Sequence, residues 1–170
     1  MARMIRALRS LLPVLAVPAL PLAAQAERAT IAHDHVRQVQ ASSTAATEFE
    51  GRPMFEPRHL VDDRGWSAWG SRPDDRDGAW VRLEFDSVQY VDEVRFVAGH
   101  NRDHTFYKAC GRPARIRFSA GDQSQVVDFK DLYEQSARFD PPLVGGALTV
   151  TIESVHGTSK HGGVCMSAIT

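Results

Sequence analysis

Apolar and polar residues alternate along much of the chain, which is typical of strands that bury one face. In residues 80–85, for example, Val81, Leu83 and Phe85 fall on one side and the intervening residues on the other. Similar patterns predict further strands at residues 36–41, 94–98, 114–118, 125–129, 137–139, 148–152 and 164–169. About eight short strands with one polar face each predict an all-β fold, an antiparallel jelly-roll sandwich.

Turn-forming residues separate these strands. Glycine, proline and aspartate cluster at residues 72–75, 111–113, 121–122, 141–142 and 145–146, and each cluster predicts a turn. Residues 57–61 and 130–134 could each form one helical turn, whereas residues 99–108 are predicted to be a long loop rich in hydrogen-bonding groups.

The first 26 residues have the organisation of an export signal. A basic start is followed by an apolar stretch that three prolines interrupt, and Ala24-Gln25-Ala26 has the small-x-small form of a cleavage site. A membrane-spanning helix is the alternative, but fourteen apolar residues reach only about 21 Å as a helix, short of the hydrocarbon core. We therefore predict a signal peptide at residues 1–26, a flexible leader at 27–39, and one binding domain at 40–170 without a membrane span. The mature protein would be exported, to a bacterial periplasm or to the medium.

The charge balance changes once this segment is set aside. The whole chain has 20 basic and 21 acidic residues, a formal charge of −1. Without Arg3, Arg6 and Arg9 the basic residues number 17, so the rest of the chain has a charge of about −4. An acidic domain argues against nucleic acid as a partner, because that affinity rests on a basic patch.

Cys110 and Cys165 are the only two cysteines in the chain. In an oxidising compartment an even number of cysteines favours a disulfide. Two buried free thiols and a metal site are the other interpretations. A metal site is the weakest of these, because it would have only two distant sulfur ligands.

No catalytic motif is present, so we predict a protein that is not an enzyme. The chain has no Gly-x-Ser-x-Gly elbow, phosphate loop or dinucleotide fingerprint. No cofactor is required, although the carboxylates of Asp74, Asp75 and Asp77 offer a candidate structural calcium site. A solvated turn is the plainer interpretation of these residues, and we expect no other metal site. His33-Asp34-His35 lies in the polar leader, where a solvated segment is the simpler explanation.

Aromatic residues with polar neighbours are the clearest sign of a ligand site. Sugars offer C–H faces that stack on aromatic rings and hydroxyls that bond to polar side chains. The predicted ligand-binding residues are Trp66, His100, Asn101, Arg102, His104 and Tyr107. We expect Trp66 and Tyr107 to be exposed, whereas Trp69 and Trp80 are expected to fill the core.

The order of these segments resembles the discoidin-like domains, also called F5/8 type C or galactose-binding-like domains. Residues 78–85 resemble the family's glycine-aromatic strand, and Asp131 and Gln135 resemble its Asp and Gln near a later strand. The other matching segments are residues 41–43, 60–69, 94–99, 112–116, 155–160 and 165–169. Within the family the chain most resembles the NADase-type glycan-binding domain, or translocation domain, of bacterial NAD glycohydrolases. This resemblance implies a jelly-roll sandwich with a binding role, without NAD hydrolysis.

The resulting hypothesis is an exported, non-catalytic module that binds carbohydrate through loops at one end of a β-sandwich. Two alternatives remain open, a small periplasmic hydrolase and a scaffold that binds other envelope proteins. The predicted partner is thus a glycan or another envelope protein.

Overall fold

The computed structural model describes residues 33–64, 66–157 and 163–170. The predicted signal peptide, residues 1–26, lies outside the described residues, as does part of the family match at 155–160. In chain order the strands are β1 (Val36–Ala41), β2 (Glu48–Phe49), β3 (Arg52–Pro53), β4 (Trp69–Gly70), β5 (Trp80–Ala98), β6 (Arg112–Ala120), β7 (Gln123–Asp128), β8 (Glu134–His156) and β9 (Cys165–Ile169). The described residues also form one α-helix, α1 (His104–Ala109), and two 3-10 helices, at His33–His35 and Pro57–Val61.

Seven of the strands form one antiparallel sheet, in the order β4-β9-β5-β8-β6-β7, with β1 also paired to β5. The sheet doubles over on itself because β5 and β8 are long enough to run through both layers. The first half of β5 pairs with β1 and with the second half of β8. Its second half pairs with β9 and with the first half of β8, after register shifts that separate the two halves. The predicted antiparallel sandwich is therefore confirmed.

The predicted alternation explains which side chains fill the space between the layers. Val81, Leu83 and Phe85 of β5 are buried, whereas the residues between them are only partly buried. Phe129 lies at the centre of an aromatic cluster, with ring centroids 5.0 Å from Phe96 and 6.3 Å from Phe118. Edge-on contacts of this kind stabilise a core beyond the area they bury.

Two local predictions about turns and helices are wrong. Residues 130–134 form no helical turn, because Gln135 Nε2 donates to the carbonyls of Lys130 and Leu132 and holds an irregular loop. The turn signals at 141–142 and 145–146 fall inside β8, where the strand bends between the layers. Pro141 and Gly145 thus allow a bend in a continuous strand.

The folded domain begins before residue 40, although residues 27–39 were predicted to be a flexible leader. Strand β1 begins at Val36 and pairs with β5. His33 precedes β1, and its ring forms a hydrogen bond with the carbonyl of Ile169 at 3.2 Å, so this part of the leader is packed against the end of β9.

No helix within the described ranges is long and apolar enough to cross a membrane.

Cys110 and Cys165 form a disulfide, with their Cα atoms 5.7 Å apart, as the cysteine count favoured. Both residues are buried, in a small apolar cluster with Ala45, Phe55 and Ala68 that is separate from the main core. The cross-link therefore joins the segment that ends α1 to the start of β9.

Of the two tryptophans expected in the core, only Trp69 is fully buried. Its indole N–H donates to the carbonyl of Ser43 at 3.0 Å. Trp80 is only partly buried because it occupies an outward position at the start of β5. Its predicted core position is therefore wrong.

Candidate functional site

An open pocket of about 490 Å³ lies beside the small disulfide cluster. The β2–β3 hairpin, the 3-10 helix at Pro57–Val61 and the segment after β5 all contribute to its walls. Its lining residues are Phe49, Glu50, Arg52, Pro53, Met54, Arg58, His59, Arg64, Trp66, Ser67, His100 and Arg102. We call it the Trp66 pocket, after the most exposed of its aromatic side chains.

The β2–β3 hairpin forms one wall of the Trp66 pocket. Glu50 and Gly51 have φ angles of 52° and 72°, so the two strands are joined by a two-residue turn with left-handed backbone. This turn leaves Phe49 beside Arg102, whose guanidinium carbon lies 4.2 Å from the ring centroid. The same guanidinium lies 5.1 Å from the ring centroid of Phe106. Arg102 is thereby held between two aromatic rings.

Trp66 stands on a loop that Asp62 organises. The Asp62 carboxylate accepts hydrogen bonds from the Arg64 backbone N–H at 3.0 Å and from the Ser67 hydroxyl at 2.9 Å. Trp66 is 61% exposed, and the Arg64 guanidinium lies 5.8 Å from its ring centroid. A tryptophan this exposed on a hydrogen-bonded loop gives the pocket a fixed, flat apolar surface.

His59 contributes a hydrogen-bond acceptor to the pocket. Its Nδ1 lies 3.1 Å from the carbonyl oxygens of both Met54 and Ala68. Carbonyls only accept, so Nδ1 carries a proton, and in the neutral ring Nε2 has a free lone pair. The backbone thus fixes the tautomer of His59.

His100 contributes a donor by the opposite arrangement. Its Nδ1 accepts a hydrogen bond from the Arg102 backbone N–H at 3.2 Å, so the neutral ring carries its proton on Nε2. The side chain is only 1% exposed, with its ring 5.5 Å from that of Phe55. Burial, reinforced by the charge of Arg102, lowers the pKa of His100 to about 4. The ring is therefore neutral at physiological pH.

Three of the predicted ligand-binding residues, Trp66, His100 and Arg102, line the pocket, and three do not. The segment after His100 was predicted to be a loop, but Asp103 caps α1 by accepting from the N–H groups of Thr105 and Phe106. His104 is exposed at the first position of this helix, and Asn101 is half-buried with its backbone N–H bonded to Ser167.

Tyr107 is not exposed as predicted, because it packs against Arg112. The Arg112 guanidinium lies 4.9 Å from the ring centroid of Tyr107 and also donates to the carbonyl of Cys110 at 3.0 Å. Two further bonds, of 2.6 and 2.8 Å, join the guanidinium to the carboxylate of Asp131. They hold the pKa of Asp131 below its usual value. Arg112 therefore links Tyr107 of α1 and the following Cys110 to Asp131, which lies between β7 and β8.

Replacing Arg112 with Met is expected to lower the free energy of unfolding by about 2 kcal/mol. The loss follows from removing charge-assisted hydrogen bonds around a buried guanidinium, reduced because the Asp131 side chain is 45% exposed. Denaturant unfolding monitored by fluorescence measures it. Arg115→Met is the control, because the Arg115 side chain is half exposed and should cost less than about 1 kcal/mol. Equal losses in the two variants would contradict this assignment.

The three candidate calcium ligands have different surroundings. Asp75 accepts hydrogen bonds from the hydroxyls of Ser42 and Ser43, Asp74 pairs with Arg72, and Asp77 is exposed. Within the described ranges, no three His, Cys, Asp or Glu side chains are grouped so that they could hold a metal ion. Asp75 instead anchors the segment that precedes β5 to the end of β1.

Sequence reasoning missed the part of the pocket contributed by residues 49–64. Phe49 and Arg52 lie in a segment without strand periodicity, so only the Glu50-Gly51 turn signal could have indicated the hairpin. Arg58 lies, like His59, in the predicted helical turn. Nothing local shows that the ring of His59 faces a cavity.

The structure is a β-sandwich with a polar pocket, lined in part by aromatic rings, beside the disulfide cluster. Solved structures with a similar fold are family 32 carbohydrate-binding modules, which have the discoidin-like fold. The module of Clostridium perfringens NanJ, solved with galactose, superposes with a TM-score of 0.61 at 9% identity, covering 82% of this chain and 94% of that one. The C. perfringens module CpGH89CBM32-5, in complex with GalNAc-beta-1,3-galactose, has a TM-score of 0.62 at 6% identity, covering 81% and 95%.

A third neighbour is chitosan-binding module 2 of a chitosanase/glucanase from Paenibacillus sp. IK-5, in complex with chitotriose. It superposes with a TM-score of 0.57 at 11% identity, covering 81% of this chain and 97% of that one. No family model and no curated protein sequence matches the chain. At these identities the likeness shows the fold, and the chain is a discoidin-like β-sandwich.

Proposed function

We propose that the protein binds carbohydrate in the Trp66 pocket and does not transform it. The observation that carries this proposal is the combination of the exposed Trp66 ring with the two histidine rings that line the same pocket. The backbone occupies Nδ1 of both His59 and His100, so Nε2 is the ring nitrogen that each could offer to a ligand.

These groups match the surface chemistry of a sugar. A hydroxyl both donates and accepts, so His100 Nε2–H and the His59 Nε2 lone pair offer complementary partners for sugar hydroxyls. The C–H face of a pyranose ring would stack on Trp66, as apolar ligand faces do on aromatic side chains. The solved neighbours that bind galactose, GalNAc-beta-1,3-galactose and chitotriose support a carbohydrate ligand.

Within the discoidin-like fold, we place the chain nearest to the NADase-type glycan-binding variant, on the basis of the segments that resemble it. We also propose that the chain is exported, because residues 1–26 have the order of a signal peptide. Fractionating the producing bacteria and sequencing the amino terminus of the recovered protein tests this, and a protein found only in the cytoplasm with an intact Met1 start would refute it.

Replacing Trp66 with Ala is expected to raise the Kd for the bound glycan at least tenfold, a loss of about 1.4 kcal/mol. The reason is that stacking contributes more than any single hydroxyl contact at an open site. Screening a glycan array first identifies the ligand, and calorimetry with that ligand then measures the change.

Tyr90→Ala is the matched control for the Trp66 variant. Tyr90 is 75% exposed, lies near the middle of β5 and does not line the Trp66 pocket, so removing its ring should leave Kd unchanged. An array without any bound glycan would overturn the proposed function, as would release of sugar products during incubation with the ligand. Equal losses of affinity in the two variants would place the site elsewhere.

A further inference from the structure

The Trp66 pocket carries an excess of positive charge. Among its described lining residues, Arg52, Arg58, Arg64 and Arg102 face a single carboxylate, that of Glu50. The whole chain has nearly equal numbers of basic and acidic residues, so the excess is local. Charge concentrated in a concave site raises the local concentration of oppositely charged ligands.

Three of these arginines have no carboxylate partner within the described part of the chain. Arg58 pairs with Glu56, whereas Arg52, Arg64 and Arg102 form no such pair there. Arginines on the outer faces of the sheet behave differently. Six of them have a guanidinium nitrogen within 4.0 Å of a glutamate or aspartate oxygen: Arg37, Arg82, Arg95, Arg115, Arg117 and Arg138. Unneutralised guanidinium groups are therefore concentrated in the pocket; outside it, Arg76 also forms no such pair within the described ranges and donates instead to the carbonyl of Gly157.

Two of the three unpaired arginines also lie over aromatic rings. Arg102 lies between Phe49 and Phe106, and Arg64 lies near Trp66. Stacking on a ring face occupies the plane of a guanidinium and leaves its N–H edges directed outward. Such prior positioning lowers the entropic cost of binding.

From this arrangement we infer that the preferred ligand is a sugar that bears an oxyanion, either a carboxylate or a sulfate group. The inference rests on the proposed carbohydrate site and adds the chemical class of its ligand. An arginine donates two parallel hydrogen bonds to an oxyanion, a geometry that a neutral hydroxyl cannot match. His59 and His100 would engage hydroxyls of the same sugar ring, which Trp66 stacks against.

The test compares anionic ligands with neutral counterparts that have the same sugar backbone. Trigalacturonate and its fully methyl-esterified form have the same sugar backbone, as do a sulfated galactose oligosaccharide and its desulfated form. Calorimetry at low ionic strength should show at least tenfold tighter binding of one or both anions than of its neutral counterpart. The anion that binds distinguishes the carboxylate from the sulfate. The preference should also weaken as salt is raised from 50 to 500 mM.

Arg52→Gln and Arg102→Gln test whether the pocket arginines cause the preference. Each should weaken binding of the preferred anion about tenfold and should lower the ratio of its affinity to that of the neutral form. Arg138→Gln removes the same charge from a side chain that is 75% exposed and lies outside the Trp66 pocket. It should leave both constants unchanged, which separates a local effect from one of net charge.

Each outcome bears on the inference. If a neutral sugar binds as tightly as its anionic form, or more tightly, the inferred preference for an oxyanion is overturned. If Trp66→Ala then abolishes binding of that neutral sugar, the proposed carbohydrate site still stands. A preference for anions that survives both glutamine variants would also overturn it. If none of the four oligosaccharides and no sugar on the array is bound, both the inference and the proposed function fail.

Discussion

Reducing the Cys110–Cys165 disulfide is expected to lower the free energy of unfolding by about 4 kcal/mol. The two cysteines are separated by 55 positions, and a cross-link over that span removes much of the conformational freedom of the unfolded chain. This effect would be the largest of those predicted for the protein. It is measured by guanidinium unfolding of oxidised and reduced samples at the same pH.

A second comparison separates the cross-link from the packing of the sulfur atoms. Both cysteines are buried beside Ala45, Phe55 and Ala68, so replacing them also leaves unfilled space. The reduced wild-type protein keeps its sulfur atoms, whereas the Cys110→Ala/Cys165→Ala variant does not. We expect the variant to be less stable than the reduced protein. A reduced protein as stable as the oxidised one would contradict the prediction.

Lowering the pH from 7 to 4 is expected to cost about 3 kcal/mol of stability through His100 alone. The folded pKa is about 4, whereas an unfolded histidine has a pKa near 6.5. Between these values the unfolded chain takes up a proton that the folded protein excludes, so stability falls as the pH drops. The loss begins below pH 6.5 and is nearly complete at pH 4.

His100→Gln isolates this contribution, because glutamine does not titrate. Carboxylates such as Asp131, whose pKa is also lowered, reduce the stability of both proteins at acid pH. The difference between the two pH profiles therefore reports His100. The variant should lose about 3 kcal/mol less than the wild-type protein between pH 7 and pH 4. Parallel profiles would show that folding does not lower the pKa of His100, which would contradict the prediction.

The longer strands could be predicted because each of them repeats a local rule, whereas β2, β3 and β4 have two residues each and are too short to show one. Val81, Leu83 and Phe85 alternate with polar residues and proved to be the buried side of β5. The ends of a strand follow such a rule less well. From the local sequence, Pro141 and Gly145 predict turns. In β8 these residues instead allow a bend, because the strand passes from one layer of the sandwich to the other at this point.

The pocket was only partly predictable because its parts come from separate segments. Trp66 and Arg102 were recognised by residue type, but Phe49 and His59 meet them only through the tertiary fold. The helix α1 was missed because its six residues are too few for a periodic pattern. Its only local signal was Asp103, whose carboxylate caps the helix. Likewise, the burial of His100 depends on Phe55 and Phe106, which no local pattern links to it.

The passage of β5 and β8 through both layers has a mechanical consequence. In a sandwich whose layers share no strand, the two sheets could slide or peel apart once their side chains lose contact. Here the two layers are continuous through two covalent strands that remain hydrogen-bonded to each other on both sides of the bend. Separating the layers would therefore require the sheet to open about this bend, while β5 and β8 still tie the two layers together covalently.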